Sequence, residues 1–247
     1  GAPFGFADNT AYTVNGGMLD LNGHDLTMST LSGTGGTIGL GTGRLTISQE
    51  SDTTFAGSFT GSGTLALDGT GGLKLTGATS AYSGDVRIAS GTLEINNAFA
   101  SGSGFIGTVA GEDGRVDVTG PAALWTLNGD LNVGRTGSGA LLISDGGSVQ
   151  ASGKIAVGSA SLSLPSGSIT VTGEGSRLST GTGGSLLIGS IAGSTLVVEN
   201  GGAVTSGTAT LGQYAWTRGA ATVSGTGSLW TTGSMKIGST GATGVLT

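Results

Sequence analysis

The sequence has no cysteine, only 3 prolines in 247 residues, and few charged (10%) or aromatic (5%) side chains. The absence of cysteine excludes a disulfide scaffold, a cysteine nucleophile and a thiolate metal site. The scarcity of proline excludes collagen, even though 53 residues are glycine, because collagen combines proline with glycine at every third position. The low charge content also excludes a charge-rich disordered chain.

The charges that are present are mostly acidic, and the formal net charge is −6. This balance argues against nucleic acid as a partner, because binding a phosphate backbone requires clustered lysine and arginine. No apolar run approaches the roughly 20 residues of a membrane-spanning helix. No segment spaces its apolar residues like one face of an amphipathic helix, so we expect essentially no α-helix.

Short runs that alternate apolar and polar residues occur along most of the sequence. Examples are Leu45-Thr46-Ile47, Leu73-Lys74-Leu75 and Leu93-Glu94-Ile95, and turn-forming Gly, Ser, Asn or Asp residues separate such runs. Alternation with a period of two is typical of half-buried strands. The pattern therefore predicts an all-β fold.

Internal repeats indicate how these strands are arranged. The segment 118–125 returns as 171–178 and again as 223–230, at intervals of 53 and 52 residues. Each interval holds two similar halves, so a step of roughly 25 residues contains three short strands. This step predicts one coil of a right-handed parallel β-helix, a triangular solenoid of roughly ten coils, whereas a propeller blade needs about 40 residues and four strands.

We expect residues 1–247 to form a single solenoid without a linker and to be a piece of a longer protein. The repeat style changes near residue 115, so that 1–115 form less regular coils and 116–247 form regular coils in repeats of about 52 residues. Alternate side chains should fill a narrow apolar interior, and glycine should form the tight corners.

One repeated position combines aromatic and aliphatic residues. Trp125, Leu178 and Trp230 are equivalent, and Arg177 precedes the second of them. Neighbouring residues of a strand face opposite ways, and an arginine is not expected in a dry interior without a partner. We therefore expect Trp125 and Trp230 to point inward and cover the core, with a structural role.

Parts of the sequence resemble a known family. The segments 72–77, 82–84 and 91–97 resemble the passenger-associated transport repeat of autotransporters, the type V secreted proteins of Gram-negative bacteria, and 223–230 is similar to repeats of large autotransporter adhesins. The resemblance implies secretion through a C-terminal outer-membrane barrel, which we expect to lie outside this sequence. It also implies display at the bacterial cell surface or release from it.

Residues that could carry enzyme chemistry are sparse. The single histidine, His24, is predicted to be an exposed turn residue, and the Gly-Asp-Ser-Gly motif of serine-protease autotransporters is absent. Glu112, Asp113 and Asp117 surround Arg115, where oxygen ligands could form a weak Ca²⁺ site, although we favour a solvated corner. The other acids are scattered, whereas glycan-cleaving enzymes need paired carboxylates. We expect no enzyme, no cofactor and no bound metal.

Two further patterns carry little weight. The segment 102–107 fits Gly-x-Gly-x-x-Gly, but with this glycine content such a match arises by chance, and no helix follows it to bind a phosphate. Thr208-Ala209-Thr210 resembles an ice-binding array, but no matching array recurs in the equivalent segments.

The candidate binding residues are Tyr214, Trp216 and Arg218, in a predicted corner after a strand. Exposed aromatics beside arginine dominate binding hot spots and also stack on sugar rings. The alternative is that the two aromatics fold back over the rod and cover an apolar patch.

The functional hypothesis is a non-enzymatic passenger segment at the cell surface, acting in adhesion, in self-association or as a stalk. Its partner would be a host-cell surface protein, a glycan or another copy of the chain. Alternatives are a secreted signalling or toxin-like passenger that engages a host receptor, and a β-helical enzyme acting on glycans.

Overall fold

The computed structural model describes residues 5–78, 81–158, 166–190 and 193–247, and every regular element in them is a β-strand. The first fourteen strands are β1 (Thr10–Thr13), β2 (Met18–Asp20), β3 (Leu26–Ser32), β4 (Thr37–Gly39), β5 (Arg44–Ile47), β6 (Thr53–Phe55), β7 (Ser58–Gly61), β8 (Thr64–Leu67), β9 (Gly72–Leu75), β10 (Ala81–Tyr82), β11 (Val86–Ile88), β12 (Gly91–Ile95), β13 (Ala98–Ser101) and β14 (Gly104–Ile106). The remaining strands are β15 (Asp113–Thr119), β16 (Leu124–Leu127), β17 (Leu131–Val133), β18 (Ser138–Ser144), β19 (Ser148–Ala151), β20 (Ile155–Val157), β21 (Gly167–Thr172), β22 (Arg177–Thr180), β23 (Ser185–Ile188), β24 (Ser194–Glu199), β25 (Ala203–Leu211), β26 (Arg218–Ser224), β27 (Leu229–Ile237) and β28 (Thr243–Leu246). No helix in these ranges is long and apolar enough to cross a membrane.

The chain visits three faces in turn, and successive coils pair in parallel. Face I contains β5, β8, β11, β14, β17, β20 and β23, and face II is the nine-stranded sheet from β6 to β28. Face III begins with β2, β4, β7 and β10 and continues with β13, β16, β19 and β22. The long strand β25 joins faces III and I, because its first part pairs with β22 and its second part with β23.

This succession confirms the predicted triangular β-helix. Within the described residues, the strands of face II mark about eight turns. Earlier turns precede them, since β1 pairs with β3 and a bridge joins Gly33 to Phe55 of β6.

The core is a set of ladders of inward side chains. On face II, from β9 to β26, one inward position holds only aliphatic residues in register from coil to coil: Leu73, Leu93, Val116, Leu141, Ile169, Leu196 and Ala221. The residues between the inward positions, such as Lys74 and Glu94, face solvent. Each buried Leu or Ile contributes about 1.5–3 kcal/mol of burial free energy, so the ladders hold neighbouring coils together.

The coils become longer along the chain. On face I, Leu65 pairs with Val86, 21 residues later, whereas Ile155 pairs with Leu186, 31 residues later. Part of the increase lies in the face II strands, since β9 has four residues and β18 has seven. The coils still pair in register on face II.

Candidate binding surface

A row of loops projects from the edge between face I and face II, which we call the loop edge. In the described residues it includes 107–112, 134–137, 212–217 and 238–242. Each loop starts with a glycine at φ close to +70°, as at Gly134 and Gly212. An added Cβ there would lie about 2.5 Å from backbone of a neighbouring coil, so only glycine allows the chain to leave the strand.

The predicted binding corner is one of these loops. Trp216 is 95% exposed and Tyr214 is 56% exposed, and Arg218, the first residue of β26, is also exposed. The indole of Trp216 therefore does not fold back over the rod, which was the alternative expected from the sequence. The structure places all three candidate residues on the outer side of the loop edge.

The backbone of this corner is held firmly although its side chains project. The Trp216 N–H donates to the Gly241 carbonyl at 2.7 Å, and the buried Thr217 donates its hydroxyl to the Tyr214 carbonyl at 2.7 Å. Trp216 has φ +70°, a region that costs a non-glycine residue roughly 1–2 kcal/mol. The fold thus fixes a bulky apolar side chain in water and in an unfavourable backbone region.

A groove of about 480 Å³ runs across face I beside the same loop. Outward side chains of β14, β17, β20 and β23 line it together with residues of the adjoining loops. These lining residues are Phe105, Asp130, Asn132, Arg135, Lys154, Ala156, Leu187, Ser190, Gln213 and Tyr214. The exposed Tyr214 thus belongs both to the loop edge and to the end of the groove.

Two cations, Arg135 and Lys154, line the groove, and Arg87 lies beside it. The guanidinium groups of Arg87 and Arg135 lie 4.3 Å and 5.3 Å from the centre of the Phe105 ring. Arg87 also pairs with Asp85 at 3.4 Å, and Lys154 pairs with Asp130 at 3.7 Å. Arg135 has no carboxylate within salt-bridge distance among the described residues.

Three acids of the later coils lie on the other side of the rod from the groove. Asp145, Glu174 and Glu199 all occur at the corner between face II and face III, which is opposite face I in a triangular cross-section. Asp130 is an acid of the later coils that lines the groove itself.

The predicted acidic group lies elsewhere on the loop edge. Glu112, Asp113 and Arg115 line a separate groove of about 650 Å³. The Arg115 Nε lies 2.8 Å from the Asp117 Oδ1, so this carboxylate is already paired. No three Asp, Glu or His side chains in the described ranges are grouped to hold a metal ion.

The position of His24 differs from the expectation. The residue follows a turn, where its N–H donates to the Leu21 carbonyl at 2.9 Å, but it is half-buried rather than exposed. The difference arises because coils stack closely, so that a turn is partly covered by the next coil: Gly43 approaches the His24 backbone.

The predicted inward tryptophans are confirmed. Trp125 is fully buried and its Nε1–H donates to the Ser101 Oγ at 3.0 Å, while Arg177 is exposed. Trp230 packs against the core but stays half-buried, because no later described strand of face III covers it. Both residues are therefore structural.

The Tyr-Ser-Gly segment of the transport-like repeat also has a structural role. The Tyr82 hydroxyl accepts from the Leu65 N–H at 2.9 Å and lies 3.0 Å and 2.8 Å from the carbonyl oxygens of Gly63 and Asp85. Burial raises the pKa of Tyr82. The buried phenol thus joins backbone groups of neighbouring coils, and Thr79 and Ser80 of this repeat lie outside the described residues.

Sequence reasoning did not identify the groove residues Phe105, Arg135 and Lys154. A usable signal was present, because Phe105, Asn132, Ala156 and Leu187 are paired in register on successive coils. Aligning the outward positions of face I coil by coil would have placed Phe105, Asn132, Ala156 and Leu187 in one row.

Comparison with known proteins gives one informative match. The chain matches no protein-family model and no solved structure. Over 52 residues, which are 21% of the chain, it is 58% identical to the Adhesin BmaC autotransporter of Brucella suis biovar 1 (strain 1330). The chain is similar in part to an autotransporter adhesin. The match spans 2% of that adhesin, and the β-solenoid architecture is consistent with an autotransporter passenger.

Proposed function

We propose that this chain is a non-enzymatic passenger segment, displayed at the bacterial cell surface or secreted, whose loop edge makes adhesive contacts. Trp216 is the observation that carries the proposal. Its indole is 95% exposed on a hydrogen-bonded corner, and tryptophan, tyrosine and arginine are the residues most enriched in binding hot spots.

The parallel β-helix supports this function because it makes a long, regular scaffold. Its coils contact only their neighbours, so loops of different length can project from one edge without disturbing the core. The partial similarity to an adhesin of the autotransporter type supports the same function and the extracellular location. The partner would be a host-cell surface protein, a glycan or a second copy of the chain.

The test uses beads coated with the purified chain, scored for attachment to cultured cells and for bead–bead aggregation. The triple variant Tyr214→Ala, Trp216→Ala and Arg218→Ala should lose at least tenfold in whichever activity the native chain shows. The matched control is Met18→Ala, which removes another exposed hydrophobic side chain (61% exposed) at the opposite end of the rod.

Chemical denaturation checks that both variants remain folded. Unchanged attachment and aggregation in a folded triple variant would place the adhesive surface elsewhere. Catalytic turnover of a polysaccharide by the native chain would contradict the non-enzymatic role.

A further inference from the structure

Arg135 has an unbalanced charge within the groove on face I. The other cation of the lining, Lys154, pairs with Asp130, and Arg87 beside the groove pairs with Asp85. Arg135 pairs with no carboxylate of the described residues, and its guanidinium lies over the ring of Phe105. The three charged lining residues, Arg135, Lys154 and Asp130, leave a net charge of one positive unit in a protein whose net charge is −6.

The rest of the groove offers groups that suit a hydroxyl-rich ligand. Asn132, Ser190 and Gln213 supply amide and hydroxyl groups along its length, and Ser190 donates to the Gln213 Oε1 at 3.0 Å, which orients that amide. Tyr214 supplies a half-exposed ring at the end of the groove, with one apolar face and a polar tip.

We propose that this groove binds a saccharide that carries a carboxylate, such as a uronic or sialic acid. The planar Arg135 guanidinium pairs with the carboxylate through two parallel hydrogen bonds. The amides and Ser190 bind sugar hydroxyls, and the Tyr214 ring packs on the sugar. A single net positive charge matches one carboxylate rather than a heavily sulfated chain.

The proposal deepens the adhesive function given above by naming a ligand class, and it rests on that function for its biological setting only. The contacts themselves can be measured on the purified chain without cells. If the chain shows Trp216-dependent attachment but does not bind the sugars, the groove proposal is wrong and the adhesive function is unaffected.

The test measures affinities for oligogalacturonate and sialyllactose by calorimetry, each compared with its methyl ester. The ester keeps every hydroxyl and replaces the charged carboxylate with a neutral methyl ester. We expect the acid forms to bind at least tenfold more tightly than the esters, and Arg135→Gln to lose at least tenfold in affinity for the acids. Arg135→Lys should recover part of the loss, because it restores the charge without the planar fork.

Arg177→Gln is the matched control, since Arg177 is an exposed arginine on face III, away from the groove. It should leave the affinity unchanged. Three results would overturn the proposal: no binding of either saccharide at millimolar concentration, equal binding of acid and ester, or unchanged affinity in Arg135→Gln. Tighter binding of a glutamate-rich peptide than of both saccharides would also overturn it, in favour of a protein partner.

Discussion

The early coils and the late coils of this rod fill their cores with different kinds of side chain. From β5 to β14 the coils are short, and the core of this region contains Phe55, Phe59, Tyr82 and Phe99. After Trp125 the buried core of the described residues is aliphatic, and the coils are longer. The comparison shows that an invariant core register tolerates large changes at the corners.

The aromatic side chains of the early coils contact one another in series. The ring centres of Phe55 and Phe59 are 5.3 Å apart in an edge geometry, and Tyr82 stacks on Phe99 at 6.0 Å. Such pairs add about 0.5–1.5 kcal/mol beyond burial. The early coils thus gain stability from large buried rings, whereas the late coils carry exposed side chains such as Trp216 and Arg135 in their loops.

The largest expected effect is at the boundary between the two regions. Trp125→Ala should lower the free energy of unfolding by about 3–5 kcal/mol, because it removes a fully buried indole and leaves a cavity. Trp230→Ala should cost less, since Trp230 is half-buried. Urea denaturation measures both. Equal losses would mean that the two indoles contribute equally despite their different burial.

Two glycines in turns that flank β23 provide the next test. Gly189→Ala should cost about 3 kcal/mol, because φ is +70° and the new Cβ would lie 2.4 Å from the Arg218 carbonyl oxygen. Gly183→Ala is the control, with φ +79° and no atom within 4 Å. It should cost about 1 kcal/mol. If thermal and urea denaturation give the same loss for both variants, close approach of the neighbouring coil does not constrain the turn at Gly189.

Tyr82 tests the early coils separately. Tyr82→Phe should lower the free energy of unfolding by about 1–3 kcal/mol, because it removes the buried hydroxyl that donates to the carbonyl oxygens of Gly63 and Asp85. Tyr12→Phe is the control, since its hydroxyl bonds near the exposed N-terminal turn. That change should have little effect, and a loss as large as that of Tyr82→Phe would show that burial does not set the cost.

The same residue makes a prediction about alkaline pH. Burial raises the pKa of Tyr82 above that of an unfolded tyrosine, about 10, so the folded state favours the protonated phenol. This stabilisation is complete below pH 10 and is lost as the pH rises through the pKa of the folded state. The free energy of unfolding of the native protein should therefore fall more steeply above pH 10 than that of the Tyr82→Phe variant. If the free energies of unfolding of the two proteins fall in parallel above pH 10, Tyr82 is not the group whose ionisation destabilises the protein.

The smallest effect is expected at the binding corner of the late coils. Trp216→Gly should change the free energy of unfolding by less than about 1 kcal/mol, because glycine tolerates φ +70° and the exposed indole makes little packing contribution. Attachment in the bead assay should nevertheless fall. A stability loss above 2 kcal/mol would indicate that the indole packs on the rod.

The sequence by itself determined the architecture, because local alternation and repeat spacing encode it. Strands β5, β9 and β12 contain the alternating runs at 45–47, 73–75 and 93–95, and the inward Trp125 followed from Arg177 at the neighbouring repeated position. A period of two assigns each side chain to a face, and the repeat interval assigns each strand to a coil. The exposed corner with Tyr214, Trp216 and Arg218 could also be predicted, since two aromatics and an arginine follow the end of a strand there.

The tertiary structure alone decided which distant residues share a surface. Arg135 and Lys154 look like unrelated loop residues in the sequence, yet stacking places them beside Phe105 and Tyr214 in one groove. Likewise, burial of His24 depends on how closely the next coil approaches its turn. Local propensity cannot supply this information, because loop lengths between faces shift the spacing in the sequence while the register between strands is set by packing of the core.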